Sequence, residues 1–166
     1  PRITLSIRDG SFFENQALKG AYSHAREHNS AVNLIGLLTE GTVHASLDHL
    51  LALVQMGEKE KIPVKMHLFS DGKDGTPFRL EKVLLKIPRE KLATLMGRYY
   101  GMDREGNWKL TERAYETLTG QAGEVAADPN ILIQETYQKG LNEEFVPPIR
   151  LKENSFINNA SIKICN

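Results

Sequence analysis

The chain has 166 residues, a length typical of one domain with a buried core, and its 21 Lys and Arg balance its 21 Asp and Glu. This balance argues against a protein-wide field that favours nucleic acid or an anionic membrane, and no apolar run reaches the roughly 20 residues of a membrane span. Because the single cysteine, Cys165, cannot form an internal disulfide, we expect a cytoplasmic protein with no nucleic-acid or membrane partner.

Helix and strand patterns alternate along the first part of the chain. Ser11 and Glu14 have the spacing of a capping box, which predicts a helix over Phe12–His28. The apolar run Val32–Leu38 predicts a buried strand, and leucines at helical spacing predict a second helix over Ser46–Glu60.

The same alternation continues through the rest of the chain. A polar, Gly-rich stretch follows each predicted strand, and Asp128-Pro129 supplies an N-cap and a first helical proline. The further predicted elements are strands at Val64–Phe69 and Leu92–Met96, helices at Phe78–Leu85, Lys109–Leu118 and Asn130–Lys139, and extended runs near Ile149–Leu151 and Ile162–Cys165.

Strands that are apolar throughout and separated by helices are typical of parallel sheets buried on both faces. The sequence therefore predicts an α/β three-layer sandwich, with a largely parallel or mixed central sheet covered by helices on both faces. We expect residues 1–166 to form a single domain. Because the chain starts at Pro1 without a methionine and stops at Asn166 inside an apparent strand, we also expect it to be a segment of a longer protein.

The polar loops after the three predicted strands carry the candidate functional residues. They supply an imidazole from His44, an ammonium and a carboxylate from Lys73 and Asp74, and two guanidinium groups from Arg98 and Arg104. Ligands of α/β sheets bind at the carboxyl ends of the strands, where such loops meet. This set suits a small, multiply anionic ligand with a hydroxyl group that gains or loses a proton.

Each loop also has a purely structural interpretation. His44 could be a helix N-terminal residue bonded to backbone, and Asp-Gly sequences such as DGKDG are typical of tight turns. Arg98 and Arg104 lie among tyrosines and a tryptophan, which could mean cation–π packing or a nucleic-acid surface. The spacing of His44 and His49 points them away from each other on a helix, so no metal site is predicted.

At these loops the sequence resembles the cofactor-independent (2,3-bisphosphoglycerate-independent) phosphoglycerate mutases. The similarity covers nearly the whole chain in order. The segments that carry it are IRDGSFFEN at Ile7–Asn15, GLLTEGTVHASLDHL at Gly36–Leu50, DGKDGTP at Asp71–Pro77, GRYYGMDREGNW at Gly97–Trp108 and GLNEEFVPP at Gly140–Pro148. The family has a phosphatase-like domain and a phosphotransferase domain inserted in it, and this chain resembles the inserted domain alone.

The resemblance implies the interconversion of 3-phosphoglycerate and 2-phosphoglycerate in glycolysis and gluconeogenesis, an isomerase reaction through a phosphoserine on the other domain. Asp74 matches the residue regarded as the acid and base for the glycerate hydroxyls. Lys73, Arg98 and Arg104 match residues that hold carboxylate and phosphate, and His44 matches one that positions the phosphoryl group. We expect the isolated chain to be inactive.

The resemblance also implies the cofactors and partners. It places no cofactor in this chain and two divalent metal ions, with manganese expected, in the phosphatase-like domain. The expected partners are the two phosphoglycerates and that domain, and the expected state is a monomer. A stand-alone anion-binding α/β module without catalytic activity is the alternative.

The sequence departs from the family pattern at several positions. Thr42 stands for a usual glycine and Ser46 for a usual histidine, while Lys73 offers a point charge in place of an arginine fork. Gly75 adds a residue to the second loop and Phe78 replaces a proline, which changes the expected loop shape. The family's serine, its metal ligands and a later arginine-rich segment do not occur in this sequence.

Overall fold

The structure is a computed structural model that describes residues 2–153, 156–157 and 162–165. Within those residues the helices are Arg2–Asp9 (α1), Gln16–Glu27 (α2), Leu47–Glu60 (α3), Leu80–Leu84 (α4), Arg98–Gly101 (α5), Trp108–Thr119 (α6) and Pro129–Gln138 (α7). The strands are Val32–Leu38 (β1), Val64–Ser70 (β2), Leu92–Gly97 (β3), Glu124–Val125 (β4), Ile149–Arg150 (β5) and Ile162–Cys165 (β6). Short 3-10 turns cover Ser11–Glu14, Arg89–Lys91 and Glu143–Phe145.

The described strands form one mixed sheet in the order β4-β5-β3-β2-β1-β6. Strands β1, β2 and β3 run parallel beside one another, and β6 pairs parallel with β1. Only β5 runs antiparallel to its neighbour β3 among the described pairs. The prediction of a largely parallel or mixed sheet is therefore confirmed, and the three strands that precede the candidate loops are parallel to one another.

Both faces of the sheet are covered by helices, as predicted. Leu34 and Leu38 of β1 pack in the larger apolar cluster, whereas Leu37 packs in a second, smaller cluster. Because side chains alternate along a strand, the two clusters lie on opposite faces. The larger cluster takes residues from α2, α3, α4 and α7, and Ala114 of α6 belongs to the smaller one. These layers bury the central strands and hold their carboxyl ends in register.

The predicted helix starts and ends needed several corrections. The capping-box prediction at Ser11 was wrong: the Ser11 hydroxyl donates to Asp9, and the helix begins after Asn15, whose side chain accepts the amides of Ala17 and Leu18. Because Asn15 offers its side-chain oxygen directly to two free amides, it supplies the stronger N-cap.

Two later elements also differ from their predicted bounds. The helix predicted from Phe78 is shorter and begins at Leu80, after a residue with left-handed backbone. The predicted loop after β3 contains the one-turn helix α5 before it reaches α6. Strand β4 was not predicted, since two exposed residues carry no periodic signal.

No helix of the described residues is long and apolar enough to cross a membrane. Pro1 and Asn166, on which the expectation of a longer protein partly rests, lie outside the described residues.

Candidate functional site

The strand register brings three polar residues side by side at one edge of the sheet. Leu38 of β1 pairs with Ser70 of β2, and Ser70 pairs with Gly97 of β3. Each strand is followed immediately by a polar residue, which is Thr39, Asp71 or Arg98 respectively. Because parallel strands end at the same edge, these three side chains meet there. The candidate loops therefore share one site at the carboxyl ends of the strands.

Asp71 is the centre of this row. The Thr39 hydroxyl donates to its Oδ2 at 2.6 Å, and Arg98 Nη1 donates to its Oδ1 at 2.8 Å. The backbone amides of Lys73 and Asp74 also donate to Oδ1, at 3.2 and 3.0 Å. Burial raises the pKa of Asp71, but these four hydrogen bonds outweigh it and leave the pKa below its ordinary value. Asp71 is therefore a fixed negative charge.

Arg98 joins the second loop to the third. Its Nη1 donates to Asp71 and also, at 2.6 Å, to Oδ2 of Asp74. Burial lowers the pKa of Arg98, but the two carboxylates outweigh this effect and raise it. Within the described part of the chain, Nε and Nη2 of Arg98 donate no hydrogen bond. The Nη1 group of the guanidinium is thus held by the two aspartates, and the side with Nε and Nη2 remains able to bind an anion.

His44 lies on the outer side of Asp74. Its Nε2 is 3.6 Å from Asp74 Oδ2, and its side chain is half exposed. The interpretation of His44 as a helix N-terminal residue is not supported, since α3 begins three residues later at Leu47. The structure therefore brings together one residue from each predicted loop, in the order His44, Asp74 and Arg98.

Lys73 and Arg104 lie with Arg98 around an open cleft of about 470 Å³. Lys73 Nζ is 3.9 Å from Oε1 of Glu144, a residue that the sequence did not identify as part of the site. Arg104 makes no ion pair or side-chain hydrogen bond with the described residues, and it lies on the exposed surface. The further lining residues are Tyr99, Met102, Asp103, Glu105, Asn107, Leu110, Glu144 and Phe145.

The charges in this cleft are nearly balanced. Its three cationic side chains face three lining carboxylates, those of Asp103, Glu105 and Glu144. Arg98 is also paired with the two aspartates of the second loop. Asp74 and His44 do not line this cleft but lie beside Arg98 at its side. The arrangement can orient a small anion through individual cations and place the Asp74 carboxylate near its hydroxyl groups, but the cleft offers no net positive charge.

The structural interpretations are partly correct. The DGKDG segment is a turn, because the Asp71 side chain accepts two amides that follow it, yet the same turn carries the site residues. The cation–π contact in this region is made by Arg113 over Tyr100, at 5.0 Å from the ring centroid, and not by Arg98 or Arg104. The two interpretations are therefore compatible at the second loop.

The described residues contain no group of three or more His, Cys, Asp or Glu side chains that could hold a metal ion. His49 lies 3.2 Å from the Thr4 hydroxyl and does not join His44.

Sequence reasoning missed the supporting residues of the site. Thr39 follows the predicted strand Val32–Leu38 directly and Asp71 follows the predicted strand Val64–Phe69 after one residue, so alignment of the strand ends would have placed them together. Glu143 and Glu144 come from a segment about 70 residues after the second loop, and no local pattern connects the two regions.

Comparison with known proteins gives matches to one family. The family model described as "BPG-independent PGAM N-terminus" matches residues 3–165. The 2,3-bisphosphoglycerate-independent phosphoglycerate mutase of Moorella thermoacetica is 43% identical over 155 residues, which are 89% of this chain and 30% of that protein. The protein of the same name from Gracilaria tenuistipitata is 36% identical over 99% of this chain and 34% of its own length.

A solved structure, phosphoglycerate mutase of Leishmania mexicana at low cobalt concentration, has the same fold. It matches 98% of this chain and 34% of its own chain, with a TM-score of 0.83 and 20% sequence identity. The present chain thus spans about a third of the length of the relatives it matches. The match over residues 3–165 shows that this chain belongs to the BPG-independent phosphoglycerate mutase family, in the part described as its N-terminus.

Proposed function

We propose that the chain is the substrate-binding and phosphotransferase part of a mutase that interconverts 3-phosphoglycerate and 2-phosphoglycerate, in glycolysis and gluconeogenesis. The observation that carries this proposal is the convergence of His44, Asp74 and Arg98 beside a cleft that Lys73 and Arg104 also line. The names of the relatives, which cover the chain almost completely, support the same reaction.

In this proposal Asp74 exchanges protons with the glycerate hydroxyls. Movement of a phosphoryl group between two hydroxyls requires that one hydroxyl gain a proton and the other lose one. The Asp74 carboxylate is only partly buried, so a bound substrate can reach it, and Arg98 holds its Oδ2 in place. A carboxylate held in this way can serve both hydroxyls while the glycerate turns.

The cations bind the rest of the substrate. Arg98 keeps Nη1 on its aspartates and turns its free Nε and Nη2 toward the substrate carboxylate or phosphate, since a guanidinium edge binds such groups with two hydrogen bonds. Lys73 and Arg104 supply two further positive charges around the cleft. His44, beside Asp74, positions the phosphoryl group.

The nucleophile and the metal ions belong to a second domain in this proposal. Phosphoryl transfer needs an activated nucleophile and a strong positive charge at the transferring oxygens. The residues that line the cleft include no serine, threonine or cysteine, and their charges are balanced, so the cleft supplies neither. We propose that residues 1–166 form the inserted domain, that a phosphatase-like domain supplies a serine and two divalent ions such as manganese, and that the whole protein is a cytoplasmic monomer.

The test uses the complete reading frame that encodes this chain. The purified product is assayed for conversion of 3-phosphoglycerate, with the 2-phosphoglycerate detected through a coupled dehydration. We expect Asp74→Asn to lower kcat by about 10²- to 10⁴-fold, whereas Asp9→Asn, an exposed aspartate of α1, leaves it unchanged. A complete protein that binds phosphoglycerate without converting it would favour the alternative of an anion-binding module.

A further inference from the structure

The segment Asn142–Val146 lies across the back of the candidate site and touches both loops that carry its charged residues. Asn142 Nδ2 donates to the carbonyl oxygen of Gly72 at 2.9 Å, in the second loop. The carbonyl oxygen of Val146 accepts the amide of Gly97 at 2.7 Å, directly before Arg98. One short segment therefore connects the second loop to the start of the third.

Glu143 contacts the second loop through both its side chain and its backbone. Its side chain is almost fully buried, and its two carboxylate oxygens accept the backbone amides of Phe78 and Arg79 at 2.7 and 3.0 Å. The Tyr137 hydroxyl donates to the same carboxylate at 3.3 Å, and the Glu143 carbonyl oxygen accepts the Ser70 hydroxyl at 2.6 Å. Glu143 thus binds the second loop at both of its ends.

This carboxylate forms no ion pair with any residue that the structure describes. A buried carboxylate without a cation is costly unless several donors satisfy it. Here the donors are two amides of the loop and one hydroxyl. The buried carboxylate thus holds the backbone in place through these hydrogen bonds. An apolar residue at this position would leave both amides without a hydrogen-bond partner.

The backbone that Glu143 holds is strained. Phe78 has φ of 59°, a left-handed conformation that is unfavourable for a residue with a β-carbon. Its ring packs against Tyr137, with 5.1 Å between the ring centroids. A proline at this position could not adopt this φ or donate the amide. This strained residue comes directly after the loop that carries Lys73 and Asp74.

The segment also packs closely against a glycine at each of the two loops. A β-carbon on Gly72 would lie 2.7 Å from the Asn142 side chain and from the Glu144 amide. A β-carbon on Gly97 would lie 1.9 Å from the Glu144 carbonyl oxygen. The segment therefore packs directly on backbone at the second loop and at the end of β3.

We propose that Glu143 is a positioning residue, whose buried carboxylate fixes the second loop so that Asp74 and Lys73 face Arg98 in one geometry. This inference rests on the proposed function and deepens it. Glu143 does not touch the cleft and acts through the loop. Misplacement of a substrate-binding group by about 1 Å can cost on the order of 100-fold in rate, so small movements of this loop matter.

The test is Glu143→Gln in the complete protein, which keeps the size of the side chain but turns an amide group toward one of the two backbone donors. We expect the amides of Phe78 and Arg79 to exchange with deuterium at least about tenfold faster, while exchange in β1 stays unchanged. For the reaction we expect KM for 3-phosphoglycerate to rise and kcat to fall, lowering kcat/KM by about 10- to 100-fold.

Two further variants keep this test decisive. Tyr137→Phe removes one donor to the carboxylate and should shift the same measurements in the same direction by a smaller amount. Glu135→Gln replaces an exposed glutamate on α7, the helix that carries Tyr137, and should change none of these measurements. If exchange rises equally in β1, or if kcat falls with KM unchanged, Glu143 serves general stability and the proposal is wrong.

The exchange measurement also separates this proposal from the proposed function. An unaltered complete protein with no mutase activity would refute the proposed function, and with it the catalytic consequence drawn for Glu143. Faster exchange confined to the second loop would still show that Glu143 holds that loop. If the complete protein is active and Glu143→Gln changes neither its kinetics nor the exchange of the second loop, the inference about Glu143 is wrong and the proposed function stands.

Discussion

Lowering the pH should destabilise the fold through His67, a buried histidine in the centre of the sheet. Its Nδ1 lies 3.0 Å from the Thr94 hydroxyl, and its Nε2 lies 2.9 Å from Oδ1 of Asn33. Burial lowers its pKa from 6.5 to about 4, and the positive charge of Lys65 adds to this effect. The folded protein therefore keeps His67 neutral at pH values where the unfolded chain binds a proton.

The direction and size of the effect follow from linkage. Between pH 6.5 and about 4 the unfolded state binds more protons than the folded state, so the free energy of unfolding falls as the pH falls through this window. A shift of this size corresponds to about 3 kcal/mol in total, of which about 2 kcal/mol is lost by pH 5. Above pH 6.5 the contribution is fully present.

The assay is urea unfolding at pH 7.5 and at pH 5, with the unaltered protein compared with His67→Gln. Glutamine can bond Asn33 and Thr94 but does not titrate in this range, so its free energy of unfolding should fall about 2 kcal/mol less between the two pH values. His28→Gln, at an exposed position, serves as the control for replacing a histidine. An equal fall in the unaltered protein and His67→Gln would refute the reasoning.

Four other outcomes are expected. The chain alone should convert no 3-phosphoglycerate, with or without manganese, because the cleft lacks a nucleophile and net positive charge. Calorimetry should show weak binding of 3-phosphoglycerate, with Kd on the order of 1 mM, because three carboxylates offset the three cations of the cleft, and a further loss at high salt, because salt screens the exposed charges of Lys73 and Arg104. Asp71→Asn should lower the free energy of unfolding by about 2–3 kcal/mol in urea, because it removes the charge from the hydrogen bond to the arginine, and Asp9→Asn should change it little. Gly97→Ala should lower the free energy of unfolding by more than about 2 kcal/mol through its clash with Glu144, whereas Gly20→Ala, in open space on α2, should raise it by about 0.5–1 kcal/mol.

Each of these expectations has a contrary result. Turnover by the chain alone would place the nucleophile within it. Tight binding that is unchanged by salt would show that the exposed cations of the cleft do not bind the substrate. An Asp71→Asn protein as stable as the Asp9→Asn control would show that the row of polar residues is not held by that carboxylate. Equal stability of the two alanine variants would contradict the close packing at the end of β3.

The local sequence determined the elements of the central sheet. The strand Val32–Leu38 was predicted with its observed bounds, and Val64–Ser70 extends its prediction by one residue, because a fully buried parallel strand reads as a continuous apolar run. The helix Pro129–Gln138 was predicted from Asp128 and its proline, and the Asp128 side chain does accept the amide of Asn130. Signals of this kind depend on neighbours within a few residues, so they are visible in one dimension.

The polar loops supplied the candidate residues and the resemblance supplied their expected roles, but neither could show how these residues are held. The sequence places His44, Asp74 and Arg98 on separate loops, and only the strand register brings them into contact. The same register puts Asp71 between two loops, where four donors fix its charge.

Only the tertiary structure shows what the Glu143 side chain contacts. Its carboxylate meets amides 64 and 65 residues earlier in the chain, and no propensity or spacing encodes a contact at that separation. The extended run near Ile149–Leu151 was predicted, but its antiparallel pairing with β3 was not, since two residues carry no signal for the direction in which they pair. Local pattern thus determined which elements form, and non-local packing decided which polar groups those elements bring together.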